Sequence, residues 1–209
     1  EVVDIKSNYG DERRTEIIDA EYSAFEEEEL IKPEEDVITI SHSGYIKRLA
    51  VNLYKQQKRG GKGVRAASTK EEDFIEEIFA ANTHDYILFF TNKGKLHWLK
   101  VYQLPEAGRQ AKGSSISNLL RLSEGEKVSA FVPVQSFEKG YLMMATKKGI
   151  VKKTSLQEFS NPRKGGIIAV NLKEDDELVN VIHTSGKDQI ILATKKGQAV
   201  RFKEEDVRG

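Results

Sequence analysis

The sequence predicts an all-β fold: a propeller-like disc of four-stranded blades, entered through a short helical and acidic lead. Three observations carry this. A pattern of about 50 residues recurs after Pro33. Each copy joins two short apolar runs through a glycine-bearing turn, as a β-hairpin does. The chain has 209 residues and is 38% hydrophobic, which suits many short elements better than one thick core.

The lead, residues 1–33, reads as the end of a helix followed by an acidic linker. "DERRTEIIDAEYSAFEEEELI" is rich in helix formers, has few apolar anchors and carries a run of acids from Glu26 to Glu29. Pro33 closes it. From residue 34 onward four segments share one layout: "VITISHSGYIKR", "YILFFTNKGKLHW", "YLMMATKKGIVKK" and "IILATKKGQAVRF". Each is an apolar run, then Ser or Thr, two polar residues, a glycine and a second strand. The glycines are Gly44, Gly94, Gly149 and Gly197, spaced 50, 55 and 48 residues apart. A glycine there suits a tight turn that needs a positive φ. Ile46, Leu96, Val151 and Ala199 follow two residues later, and bases follow at Lys47 and Arg48, Lys152 and Lys153, and Arg201.

The second half of each unit also recurs. A basic, glycine-bearing loop comes first: "QKRGGKG", then "GRQAKG", then "NPRKGG". Two more strands follow, in "EDFIEEIF", "GEKVSAFV" and "DDELVNVI", with the acids Asp73, Glu126 and Glu177 in register. Each repeat therefore holds about four strands, the content of one blade. The repeats span about 34–83, 84–140 and 141–188, and a fourth begins at 189–209.

Composition excludes several classes. There is no cysteine, so disulfides and thiolate metal sites are out and a reducing cytoplasm is the expected compartment. No run of about 18 apolar residues offers a membrane span, and "EVVDIKSNYG" lacks the layout of a signal peptide. The histidines His42, His84, His97 and His183 show no metal spacing and read as surface or strand residues. "RGGKG" is not a Walker loop, because Gly63 stands where Ser or Thr would bind magnesium. The tyrosines have no activating context, and Trp98 reads as packing between blades. No catalytic residue, metal site or cofactor is expected of this chain.

Formal net charge is zero, yet residues 1–36 carry 14 acids and 4 bases, leaving 19 acids and 29 bases to the rest. Such a basic body either meets a polyanion or carries ordinary surface charge. The repeat favours the first, because it brings the basic loops to equivalent places on successive blades. Lys58, Arg59 and Lys62, then Arg109 and Lys112, then Arg163 and Lys164 would line one rim. A row of cations neutralises a row of phosphates, with a grip that weakens steeply in salt. Neither a recognition helix nor an aromatic platform is visible, so backbone binding with DNA bending is expected.

At these residues a resemblance emerges. "QKRGGKG" (Gln57, Lys58, Arg59, Gly60, Gly61, Lys62, Gly63) is similar to the seven-residue box Q-[RK]-R-G-G-[RK]-G of the DNA gyrase C-terminal domain family. "YGDERRTEI", "EEDVITISHSGYIKR", "KEEDFIEEIFAANTHDYILFF", "KVYQLPEAGRQAKG" and "VRFKEEDVRG" resemble that family in the same order, so the likeness covers essentially the whole chain. It implies a β-pinwheel whose blades exchange strands, and DNA wrapped on its rim. Beside the box, it implies rim contacts from Lys47, Arg48, Arg65, Lys152 and Lys153 together with the bases named above. It further implies a heterotetramer that pairs two gyrase A subunits with gyrase B subunits, working on duplex DNA at the nucleoid. ATP and magnesium would serve elsewhere in that holoenzyme, and the catalytic tyrosine of the family is not in this stretch. The family has six blades; this chain matches the linker, three blades and the start of a fourth. Three rivals stand beside this reading. They are the related disc of topoisomerase IV, which lacks an intact box, a propeller that binds protein, and an arginine–glycine RNA-binding segment.

Overall fold

The computed structural model describes residues 1–10, 27–54, 73–161, 163 and 165–208. Two units are distinct, Glu1–Ile31 and Lys32–Gly209. The described residues of the first contain an α-helix, α1 (Val2–Tyr9), with every residue exposed, and a 3-10 turn at Glu27–Leu30. The acidic run expected at 26–29 falls partly outside the described residues.

Among the described residues, the regular structure of the second unit is mainly strand. In chain order these are β1 (Glu35–Ser41), β2 (Tyr45–Ala50), β3 (Ile75–Asn82), β4 (Tyr86–Thr91), β5 (Lys95–Lys100), β6 (Ser114–Ser115), β7 (Val128–Val134), β8 (Tyr141–Thr146), β9 (Val151–Ser155), β10 (Ile167–Ile168), β11 (Leu178–Thr184), β12 (Gln189–Ala193) and β13 (Ala199–Lys203). One turn of helix, α2 (Ile116–Leu119), follows β6. Among the described residues they form four antiparallel sheets, ordered β3-β1-β2-β6, β7-β4-β5-β10, β11-β8-β9 and β12-β13.

One repeat does not close one blade by itself, and the blades exchange strands as the resemblance implies. The second and third repeats each supply four strands, but the short one crosses to the preceding sheet. β6 pairs with β2 (Tyr45 opposite Ser115, Ile46 opposite Ser114), and β10 pairs with β5 (Leu96 opposite Ile167). The cause is local. Gly113 and Gly166 end the basic loops at φ of 85° and 75°, turning the chain onto the neighbouring edge. The next amides then bond back to the previous hairpin, Ile116 to the Gly44 carbonyl and Ala169 to the Gly94 carbonyl, each at 2.9 Å.

The hairpin motif has a complete hydrogen-bond explanation. In every repeat the glycine amide donates to the Ser or Thr carbonyl three residues back, for Gly44, Gly94, Gly149 and Gly197 alike. The following amide donates to that residue's hydroxyl: Tyr45 to Ser41, Lys95 to Thr91, Ile150 to Thr146 and Gln198 to Thr194, all at 3.2 Å. This is a three-residue hairpin loop closed by a glycine at positive φ. A repeated acid braces the turn, and here too the expected register shifts. The third member is Asp176, which accepts from the Lys148 amide at 3.0 Å, whereas Glu177 lies outside on Lys147.

The core lies between sheets. Ile38, Ile40, Ile46, Ile87, Phe89 and Val101 meet between the first two, and Leu88, Phe90, Leu96, Leu142, Met144 and Leu156 between the second and third. β4 is therefore apolar on both faces, which is why "YILFF" runs unbroken instead of alternating. Trp98 packs at the second interface and donates its indole N–H to the Phe159 carbonyl at 3.0 Å.

Turn glycines with the same φ should not tolerate alanine equally. A Cβ at Gly44 meets nothing within 4 Å, whereas one at Gly94 falls 2.4 Å from the Val170 carbonyl. Gly44→Ala should cost only the left-handed strain, about 1–2 kcal/mol. Gly94→Ala must also displace backbone and should cost clearly more. Urea unfolding of the two variants checks this; equal losses would contradict it.

Candidate nucleic-acid interface

The basic loop that precedes β6, residues 105–113, is docked along β2. The Arg48 amide donates to the Pro105 carbonyl at 3.0 Å and the Ala107 amide to the Arg48 carbonyl at 3.1 Å. Tyr45 offers its ring to the Lys112 ammonium, 3.5 Å from the ring centre, a close cation–π contact. Gly113 is required: a Cβ there would stand 2.4 Å from the Ile46 carbonyl. The matching loop before β10 docks on β5, with Gly166 seated against the His97 ring.

Counted back from these glycines, Lys112 occupies the place of Lys62 and Arg109 that of Arg59. Arg109, Lys112 and Arg163 are exposed, and no carboxylate among the described residues pairs with them. The box residues Gln57, Lys58, Arg59, Gly60, Gly61, Lys62 and Gly63, with Arg65 and Lys164, lie outside the described residues. Tyr54, the last described residue before the box, is close enough to Arg109 to feel its charge. Burial pushes its phenol up and the guanidinium pulls it partly back.

Two of the expected rim contacts, Lys47 and Arg48, need correction, and two more are partly engaged by backbone. Lys47 is 3% exposed, and its ammonium donates to the carbonyls of Gly108 (3.1 Å), Arg109 (3.0 Å) and Ala111 (2.8 Å). An ammonium has three donors, so none is left for a phosphate. Arg48 is bound to buried Asp36 at 2.9 Å, to Glu106 at 3.5 Å and to the Leu104 carbonyl at 3.0 Å. Lys152 and Lys153 are half-buried and donate to the Ala169 and Glu204 carbonyls. The reason is common to all four. The strand after each turn glycine lies beside the next loop or hairpin, so its bases are drawn to the carbonyls and carboxylates around it.

Sequence reasoning also missed the cluster under the second hairpin. Glu126 is 6% exposed and accepts from the Thr91 hydroxyl at 2.8 Å and the Ser123 amide at 2.8 Å. Lys95 lies 3.7 Å from one carboxylate oxygen, and His97 Nε2 lies 3.8 Å from the other. Burial pushes the Glu126 carboxyl up, but the Ser123 amide, the Thr91 hydroxyl and Lys95 outweigh it and hold it below the usual range. Burial likewise pulls His97 below its ordinary 6.5, and Glu126 restores only part of this. The signal was available, since an acid recurs in register with each hairpin, but nothing in the sequence marks His97 as covered.

A histidine with a depressed folded value stabilises fully above about 6.5 and loses that contribution as pH falls toward its folded value. Thermal midpoints should therefore drop as pH falls below about 6.5, and His97→Gln should flatten the drop. Parallel curves for the two proteins would count against it.

Comparison with known proteins adds the following. A family model described as "DNA gyrase C-terminal domain, beta-propeller" matches residues 35–82, 85–135, 140–185 and 188–209. The DNA gyrase A subunit of Clostridium acetobutylicum is 53% identical over 209 residues, covering 100% of this chain and 25% of that protein. The chain thus spans about a quarter of the length of the curated relatives it matches. Among solved structures, the C-terminal domain of DNA topoisomerase IV aligns with a TM-score of 0.72 at 29% identity, over 85% of this chain and 54% of that one. The DNA gyrase A C-terminal domain aligns with a TM-score of 0.61, also at 29% identity, over 84% of this chain and 56% of that one.

Proposed function

The chain belongs to the DNA gyrase C-terminal domain family, and from that premise we propose that it binds duplex DNA without reading sequence and bends it around the rim of its sheets. The observation that carries this is the recurrence of an exposed cationic loop in one backbone setting. Arg109 and Lys112 precede Gly113, Arg163 precedes Gly166, and each loop is docked on the outer strand of the preceding sheet. Exposed cations on docked loops suit phosphates, and neither loop, in its described residues, presents a recognition helix that could enter a groove.

The wider role follows from the same premise. The chain is the DNA-wrapping part of a gyrase A subunit in a heterotetramer with gyrase B. It supports ATP-driven negative supercoiling in the bacterial cytoplasm and performs no bond chemistry itself. The test is topological: the full-length protein is bound to a relaxed circle, the circle is resealed, and the sign of the trapped supercoils is read. Positive wrapping is expected, and no trapped supercoils would end the reading. The topoisomerase IV disc is the second reading, favoured by its higher TM-score. Weighing against it are the intact box and the 53% identity across the whole chain. A wrap too weak to trap supercoils would favour topoisomerase IV.

A further inference from the structure

We propose that Lys47 is a positioning residue for the DNA-facing loop of the following repeat, fixing from beneath the backbone that carries Arg109 and Lys112. This rests on the DNA-binding reading above. The three carbonyls that receive its ammonium belong to Gly108, Arg109 and Ala111. Four consecutive residues therefore curl around one buried cation. Charge-assisted bonds in a site screened from water are strong and directional, and this set holds the carbonyl side of Arg109 inward while its side chain stays exposed. Tyr45, two residues before Lys47 and on the same face of β2, holds Lys112 from the same side. One short strand therefore sets both cations.

The arrangement is peculiar to the junction of the first two repeats. Three residues after the turn glycine, the second repeat has His97, whose Nε2 has no hydrogen-bond partner. A neutral imidazole cannot donate to three carbonyls. The third repeat has Lys152, which reaches one carbonyl at 3.3 Å. The loop that Lys47 grips carries the Arg109 whose charge reaches Tyr54, the last described residue before the box in the sequence. A rigid Arg109 and Lys112 would give incoming DNA a fixed direction rather than a loose charge.

The test is a double-mutant cycle in the full-length protein, read as the slope of log affinity for a linear duplex against log salt. R109A/K112A should lower the slope by about two, one for each phosphate lost. K47M removes no exposed charge, yet it should lower the slope by a similar amount and add nothing in the R109A/K112A background. If R109A/K112A leaves the slope unchanged, the DNA reading of this loop fails. If that variant lowers it and K47M does not, the positioning role alone fails. A further drop of about one from K47M in the R109A/K112A background would mean that Lys47 touches phosphate itself, which also overturns the proposal. A second measurement does not depend on K47M folding. In the unsubstituted protein, ammonium protons of Lys47 should exchange with water at least tenfold more slowly than those of Lys112, and equal rates would overturn the grip.

Discussion

Alanine in place of Gln57, Lys58, Arg59, Gly60, Gly61, Lys62 and Gly63 should abolish the introduction of negative supercoils by the full-length enzyme, while ATP-dependent relaxation survives. Three cations within five residues can hold adjacent phosphates and fix a path without reading sequence. Gly60, Gly61 and Gly63 permit close backbone approach, and Gln57 can add a neutral hydrogen bond. The loops at the corresponding places in the next two repeats are sparser in charge. On the proposed function, Arg109, Lys112 and Arg163 then follow DNA whose path the box sets. Replacement should therefore change the geometry of the wrap more than its affinity, because the rest of the rim keeps its charge. Supercoiling and relaxation assays run side by side on gels check this, together with duplex affinity. Normal supercoiling by the replaced enzyme would reduce the box to a turn.

Phe89→Ala and Phe90→Ala should each cost about 3–5 kcal/mol although the two residues are neighbours. Both are fully buried, but on opposite faces of β4. Phe89 fills the space between the first two sheets, with the Phe131 ring edge-on at 5.8 Å. Phe90 fills the space between the second and third. Each truncation leaves a cavity between two rigid sheets that cannot close around it. The two should also differ in what they loosen: hydrogen exchange should accelerate in β1 and β2 for Phe89→Ala, and in β8 and β9 for Phe90→Ala. Uniform acceleration in both variants would show that the interfaces do not act separately.

Much of the fold was legible because a repeat states the same constraint several times. Ser41, Thr91, Thr146 and Thr194 each stand three residues before a glycine, and only a hairpin closed through carbonyl and hydroxyl gives all four the same use. Exposed cations were legible for the same reason: Arg109, Lys112 and Arg163 lie in glycine-bearing loops, where long side chains have room. Lys47 and Arg48 were misread because a base after a strand looks the same whether solvent or a neighbouring loop covers it. The register of Asp176 against Glu177 was lost in a pair of adjacent acids, where only the turn amide chooses.

Local chemistry, then, determined the hairpins, the positions of the turn glycines, the doubly apolar β4 and the basic loops, because each depends on residues within one repeat. Only the tertiary structure decided where the short strand of each repeat goes. Ser114–Ser115 and Ile167–Ile168 are two residues long, too short to carry a register of their own. Their partner is set by the preceding hairpin, whose free edge pairs with the short strand and whose turn carbonyl accepts from the amide just after it, Ile116 or Ala169. That crossing places Lys47 beneath a loop more than sixty residues away in the chain. A base that sequence reasoning assigned to DNA becomes, for that reason, the support of the bases that face it.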